Sequence, residues 1–155
     1  MFDGNYQSTL SARYGLLIPV AWLAAFHNRK GVMSFDGNHW KLYPVRDWST
    51  WLIILSSMYE TAADPLPDTI KARIKSAKEI QITHKGEIIM PESLRLLPPG
   101  LVQIVGHDGF LEVWPVEVWF EEEEKRLRVS MTIDEYLKTI AKFPPAPLDR
   151  LPPDN

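Results

Sequence analysis

A mainly β fold with short helices (α+β), built from two copies of one small unit, is what the sequence predicts, and three observations predict it. Residues Leu10 to Pro19 read Leu-Ser-Ala-Arg-Tyr-Gly-Leu-Leu-Ile-Pro, and 72 residues later (82 − 10) Ile82 to Pro91 read Ile-Thr-His-Lys-Gly-Glu-Ile-Ile-Met-Pro. Asp36-Gly37 returns as Asp108-Gly109 at the same spacing. Leu42-Tyr43-Pro44 followed by Trp48 returns, one residue closer, as Val113-Trp114-Pro115 followed by Trp119. An apolar residue, a polar turn with Gly, then aliphatic residues closed by Pro is how a buried hairpin arm running into a helix is written. An Asp-Gly between alternating apolar runs marks a hairpin. Self-similarity at a fixed spacing marks a repeat.

In chain order, Asn5 to Leu10 reads as a strand with Tyr6, Ser8 and Leu10 on one face. Ser11 to Gly15 is a turn and Leu16 to Ile18 a buried strand. Pro19 suits the first position of a short helix over Val20 to Phe26 that buries Trp22, Leu23 and Phe26. Gly31 to Phe35 and Trp40 to Tyr43 then form a hairpin across Asp36-Gly37-Asn38-His39. Pro44 opens an amphipathic helix with Trp48, Trp51, Leu52, Leu55, Met58 and Tyr59 on its apolar face, ended by Asp64-Pro65-Leu66-Pro67. Asp68 caps a further helix to Ala77, with Ile70, Ile74 and Ala77 inward and Lys71, Arg73, Lys75 and Lys78 largely outside.

The second copy repeats the layout. Glu79 to Ile82 is a strand, Thr83 to Glu87 a turn, Ile88 to Met90 a strand, and Pro91 to Leu96 a short helix stopped by Pro98-Pro99-Gly100. Leu101 to Val105 and Phe110 to Trp114 form the second hairpin. Pro115 opens a helix with Val118, Trp119 and Leu127 inward, and with Glu121–Lys125 and Glu122–Arg126 at stabilising spacing. The run Glu121 to Glu124 reads as a solvated helix face or as a functional acidic patch. Thr132-Ile133-Asp134-Glu135 has the form of a capping box, with Met131 placed to staple onto Tyr136, so a last helix is expected to Lys142. Phe143 to Asn155 holds five Pro and few large apolar residues and is expected to be an extended or disordered tail.

Hydrophobic content of 45% beside 24% charged residues places the chain in the globular class. Its longest apolar run is far too short to span a bilayer, and its N-terminus shows no basic region leading into an apolar one, so cytoplasmic residence without a membrane partner is expected. With no Cys, disulfides, thiol nucleophiles and thiolate metal sites are all removed. A net charge of −3 is unlike the basic balance usual in nucleic-acid binders, although basic residues concentrate between Lys71 and Lys78. His27, His39, His84 and His107 share no metal-ligand spacing, and no nucleophile elbow, phosphate loop or dinucleotide fingerprint is present. Asp36 and Asp108 sit in turns that want Asp for backbone reasons. The chain reads as no enzyme, with no cofactor and no small-molecule substrate. What stands out is the repeated turn, which displays Arg13 and Tyr14 in one copy and His84 and Lys85 in the other. Such side chains on a rigid β-framework suit contact with a DNA groove; they equally suit an ordinary solvated loop.

Met1-Phe2-Asp3-Gly4-Asn5-Tyr6, the Leu10 to Pro19 stretch, Leu42-Tyr43-Pro44 with Trp48, and the second copy ending in Val113-Trp114-Pro115 with Trp119 together resemble the MraZ family of bacterial transcriptional regulators. The resemblance covers roughly residues 1 to 120. It implies tandem swapped-hairpin, SpoVT/AbrB-like half-domains at 5–48 and 79–120 that form a double-split β-barrel, a helical linker at 49–78, a C-terminal helical region at 121–143 and a Pro-rich tail at 144–155. It further implies a homo-oligomeric ring, associated with the nucleoid, that binds short direct repeats in a promoter and represses the division and cell-wall gene cluster. Arg13, Tyr14, His84 and Lys85 would be the DNA contacts, with Lys71, Arg73 and Lys75 auxiliary. The sequence departs from the family at the turn itself. Members typically carry Asp-x-x-x-Arg there, whereas these positions hold Ser11 and Gly15 in the first copy and Thr83 and Glu87 in the second. With both arginines gone, a ring-forming scaffold that has lost operator recognition is the alternative.

Overall fold

The computed structural model describes residues 2–60 and 66–142, in two units, Met1–Val116 and Glu117–Asn155. The first unit contains β1 (Asn5–Leu10), β2 (Gly15–Leu17), β3 (Lys30–Phe35), β4 (Trp40–Pro44), α1 (Val45–Glu60), α2 (Asp68–Ser76), β5 (Lys78–Gln81), β6 (Glu87–Ile89), β7 (Gly100–Gly106) and β8 (Leu111–Pro115). It is mainly β with short helices. Six strands form one antiparallel sheet in the order β1-β7-β8-β4-β3-β5, and β2 pairs with β6 in a separate ribbon.

The repeats exchange strands. β1 of the first copy pairs with β7 of the second, from Asn5↔Val105 to Leu10↔Gly100, and β5 of the second copy pairs with β3 of the first, from Lys30↔Gln81 to Met33↔Lys78. Replacing each strand by its counterpart in the other copy reverses the sheet order and leaves it unchanged. The sheet therefore has a pseudo-two-fold axis at its centre, where β4 meets β8 through Trp40↔Val113, Lys41↔Glu112 and Leu42↔Leu111.

Strand alternation sends two sets of side chains to opposite faces. Leu10, Met33, Trp40, Leu42, Ile104, Leu111 and Val113 point to one face and, with Leu16, Ile18, Ile88 and Met90 from the ribbon region, make the main core. Each aliphatic side chain buried there contributes about 1.5–3 kcal/mol. Trp40 is wholly buried, and its indole N–H donates to the Leu94 carbonyl at 2.7 Å. On the other face Val32 and Tyr43 meet Trp48, Trp51 and Leu52 of α1 and Ile74 of α2.

That second face also holds the charged centre of the sheet. Lys41 Nζ lies 2.6 Å from Glu112 Oε2, and both side chains are nearly excluded from solvent. Asp36 Oδ2 stands 3.6 Å from Lys41 Nζ. His39 Nε2 stands 3.3 Å and His107 Nε2 2.8 Å from the Glu112 carboxylate, which also accepts from the Trp114 indole at 3.2 Å. Burial alone would raise the Glu112 pKa; the bonds from His39, Lys41 and His107 overcome it and hold the carboxyl well below the usual carboxylate range.

Several sequence expectations shift. Pro44 and Pro115 end β4 and β8, paired with Gly31 and Val102, instead of opening helices. The segments after Pro19 and Pro91 are 3-10 turns, Val20–Ala25 and Glu92–Leu94. Phe26 leaves the first by turning extended, which carries its ring into the core. The second ends at Leu94, where Arg95 leaves helical geometry at φ −80° and ψ 61°. Asp68 lies in the first turn of α2, where its charge suits the helix dipole, but makes no capping bond. Met58, placed inward from sequence, is 61% exposed.

The second unit is described through one helix, α3 (Val116–Lys142). It is continuous, so Thr132–Glu135 lies inside it and not at the start of a separate helix; the expected Met131–Tyr136 staple and the tail fall outside the described side chains. Trp119 is buried and Val118 half-buried, while Leu127 is exposed. The acidic run pairs Glu122 with Lys125, Glu123 with Arg126 and Glu124 with Arg128, in place of the expected partners. Exposed pairs of this kind contribute little to stability.

The folded-state pKa of Glu112 lies below its ordinary 4.5. Its stabilisation is therefore complete above that pH and drains as pH falls below it. Glu112→Gln is expected to cost about 3 kcal/mol at pH 7 by removing the nearer carboxylate from the buried Lys41 and leaving it Asp36 at 3.6 Å, and to flatten the loss of stability on acidification. Denaturant unfolding of both proteins across pH 3 to 7 measures both effects; a parallel acid dependence would exclude this role for Glu112.

Candidate nucleic-acid interface at two matched turns

The turns joining β1 to β2 and β5 to β6 are built by the same three bonds. In the first, Ser11 N–H donates to Gly15 O at 2.9 Å, Tyr14 N–H to Ser11 O at 2.8 Å, and Gly15 N–H to the Ser11 hydroxyl at 2.9 Å. In the second, Thr83 N–H donates to Glu87 O at 2.9 Å, Gly86 N–H to Thr83 O at 2.9 Å, and Glu87 N–H to the Thr83 hydroxyl at 3.0 Å. A side-chain oxygen that accepts a backbone N–H four residues on closes the turn from within. Asp would serve there, and Ser and Thr supply the same acceptor without its charge.

Both turns also need one left-handed residue. The second uses Gly86 at φ 89°, and an added Cβ would stand 3.1 Å from Ile18 O. The first uses Tyr14 at φ 63°, which costs about 1–2 kcal/mol for an L-residue with a side chain. Its own contacts offset this. The Tyr14 hydroxyl donates to Leu97 O at 3.0 Å, its ring packs against the core, and the Arg95 guanidinium lies 5.2 Å from the ring centre. Tyr14, expected to project as a stacking group, is thus half-buried against its own framework.

Arg13, His84 and Lys85 are exposed at the two tips. The ribbon connects them. β2 and β6 pair antiparallel through Gly15↔Ile89, Leu16↔Ile88 and Leu17↔Glu87, and bonds from Met90 N–H to Tyr14 O at 2.9 Å and from Ile18 N–H to Gly86 O at 3.0 Å close its ends. The tips therefore project from opposite ends of three residue pairs, about 10 Å of strand. The outer face of the ribbon is not basic: Leu17 is 55% and Ile89 46% exposed beside Glu87. A side chain at Gly15 would meet Glu87 Oε2 at 3.2 Å and the Ser11 hydroxyl at 3.1 Å.

The structure separates the basic residues of α2. Lys71 and Lys75 are exposed, but Arg73, expected outside with them, is turned inward with 15% of its side chain exposed. Its guanidinium lies 4.2 Å from the centre of the Trp51 ring and donates to the Tyr43 hydroxyl at 2.6 Å. Burial raises the Tyr43 pKa, with Arg73 opposing. Among the described residues no group of three or more metal-ligating side chains is placed to hold an ion, and no helix is long and apolar enough to cross a membrane.

No family model matches the chain. It is similar to the protein described as transcriptional regulator MraZ from Desulforamulus reducens, with 26% identity over 122 residues, 77% of this chain and 84% of the relative. It is likewise similar to the transcriptional regulator MraZ of Thermomicrobium roseum, with 24% identity over 144 residues, 90% of this chain and 99% of that one.

Ser11→Ala and Thr83→Ala should each lower stability by about 1 kcal/mol through loss of one hydroxyl–amide bond. Amide exchange measured by NMR should speed up at Gly15 in the first variant and at Glu87 in the second, with the opposite turn unchanged. Unaltered protection would show that the hydroxyls do not hold the turns.

Proposed function

We propose that this chain, a divergent relative of the MraZ transcriptional regulators, is a DNA-binding repressor that acts through its two matched turns. The observation that carries the reading is the shared hydrogen-bond pattern that fixes both turns and leaves Arg13, His84 and Lys85 at their tips. The repeats at 5–48 and 79–120 serve as two half-domains of one DNA-reading unit. Lys71 and Lys75 add phosphate contacts, while Tyr14 and Arg73 support the framework from behind. Copies assembled in a ring present many tips to short direct repeats in a promoter, and avidity raises the overall affinity above that of any single weak contact. The regulated genes are the division and cell-wall cluster, and the protein works on the nucleoid in the cytoplasm. No catalytic step is assigned to it.

A second reading has its own observation. Where family members place arginines, this chain has Gly15 and Glu87, with exposed Leu17 and Ile89 beside them. A carboxylate repels phosphate, and aliphatic side chains suit a protein partner. On this reading the scaffold persists and operator recognition is gone.

Binding to the DNA upstream of the protein's own gene, at two salt concentrations, separates the two. The regulator reading expects affinity for that DNA above a random duplex, falling by roughly 0.9 log units per log unit of salt for each phosphate neutralised. Arg13→Ala with Lys85→Ala should flatten that slope by about two contacts, and Glu87→Arg should tighten binding about tenfold. No preference for that DNA at low salt would overturn the regulator reading and leave the scaffold reading in place.

A further inference from the structure

The centre of the sheet carries a feature that DNA contact does not use. Lys41 and Glu112 are 71 residues apart, the spacing between equivalent positions of the two hairpins. At that spacing Trp40 is the counterpart of Leu111 and Leu42 of Val113. The pair Trp40↔Val113 is therefore the image of Leu42↔Leu111, and Lys41↔Glu112 is its own image. These two residues stand on the pseudo-two-fold axis, where a symmetric dimer of identical halves would set one residue against itself.

The neighbours obey the same relation. Asp36-Gly37 matches Asp108-Gly109 in sequence, but the hairpin register, with Phe35↔Trp40 answering Gly106↔Leu111, sets Asp36, 3.6 Å from Lys41, in the place of His107, 2.8 Å from Glu112. Phe110, whose ring centre lies 5.0 Å from Lys41 Nζ, is the counterpart of His39, 3.3 Å from Glu112. Each contact of Lys41 thus has an image contact of Glu112. In both images the chemistry is changed to suit the opposite charge: an acid beside the lysine becomes an imidazole beside the glutamate.

We propose that Lys41 and Glu112 select which repeats join, so that a first repeat closes only on a second repeat and never on another first repeat. The interleaved strands make this choice necessary. β1 needs a β7 and β2 needs a β6, and a neighbouring copy of the chain offers the same edges. Two first repeats meeting on this axis would bury Lys41 against Lys41 with only the more distant Asp36 of each repeat to offset them, and two second repeats Glu112 against Glu112 with only the His107 of each; the 2.6 Å ion pair is lost in both. Like charges facing one another without water are strongly disfavoured. Tethering within one chain then favours closure with its own second repeat.

The test uses the full chain. Light and isotopically heavy protein are unfolded together, refolded, cross-linked and digested, and links joining residues 30–44 of one chain to residues 30–44 of another are counted. Wild type should show almost none. Lys41→Met with Glu112→Met keeps the site filled without charge, which a buried pair often tolerates, and should raise such links about tenfold or more. As a second measurement, Lys41→Glu and Glu112→Lys chains should refold poorly when alone and recover when mixed, as complexes containing one chain of each. The proposal is overturned if the uncharged variant stays as free of first-to-first links as wild type, or if each single variant refolds alone with wild-type yield.

Discussion

The antiparallel contact of β4 with β8 is the interaction on which the rest of this molecule depends. It joins the two repeats at the middle of the six-stranded sheet, and from it the outer strands are placed in sequence: β7 and β3 as hairpin partners, then β1 and β5 as strands lent by the opposite repeat. Its two faces are chemically distinct. One supplies Trp40, Leu42, Leu111 and Val113 to the core, and the other sets a charged pair beside stacked rings, with His39 on Trp114 at 3.8 Å and Tyr43 on Phe110 at 5.1 Å. Ring stacking and ion pairing across one short ladder fix the register, because a slip of one residue would carry the charges into the core.

The turns show how a local geometry is kept while its chemistry changes. Closure needs an acceptor at the first residue and a left-handed residue at the fourth, and both copies meet these needs with different side chains: Ser11 and Tyr14, Thr83 and Gly86. The fifth residue carries no such demand, since only its backbone is bonded. Gly15 and Glu87 can therefore differ while the bonding of the turn stays the same, although a side chain at Gly15 would crowd the Ser11 hydroxyl at 3.1 Å and Glu87 Oε2 at 3.2 Å. This decoupling lets the scaffold outlast a change in what its outer surface recognises.

Much of the fold was legible because alternation, Asp-Gly turns and the repeat all act locally. Asp36-Gly37 and Asp108-Gly109 announced their hairpins, and the aliphatic residues after each turn announced strands, of which Leu16, Ile18, Ile88 and Met90 are buried while Leu17 and Ile89 are exposed. Strand partners were not legible: the alternation in Asn5–Leu10 says which face is buried but not that β7 lies alongside. Arg73 was misplaced by charge alone, although it lies three residues after Ile70 and four before Ala77, on the stripe that faces inward. Tyr14 likewise aligns with Gly86, which marks a left-handed position, and Lys41 aligns with Glu112 at the repeat spacing. These signals required reading one copy against the other. At the site, the exposure of Arg13, His84 and Lys85 followed from their turns, whereas the burial of Tyr14 required its distant acceptor, Leu97.

The exchange of strands also governs how the chain comes into being. β1 and β2 leave the ribosome well before their partners β7 and β6, which lie near residues 100 and 88. At roughly 5–20 residues per second of synthesis, β2 waits about 4–15 seconds for β6. Through that interval the first repeat has apolar side chains such as Leu10 and Leu16 with no mate, and non-local pairing of this kind is intrinsically slow. Nascent chains on one messenger are then close neighbours with complementary edges. Translation speed between the repeats, and any chaperone that shields the early strands, thus become determinants of how much correctly closed protein a cell obtains.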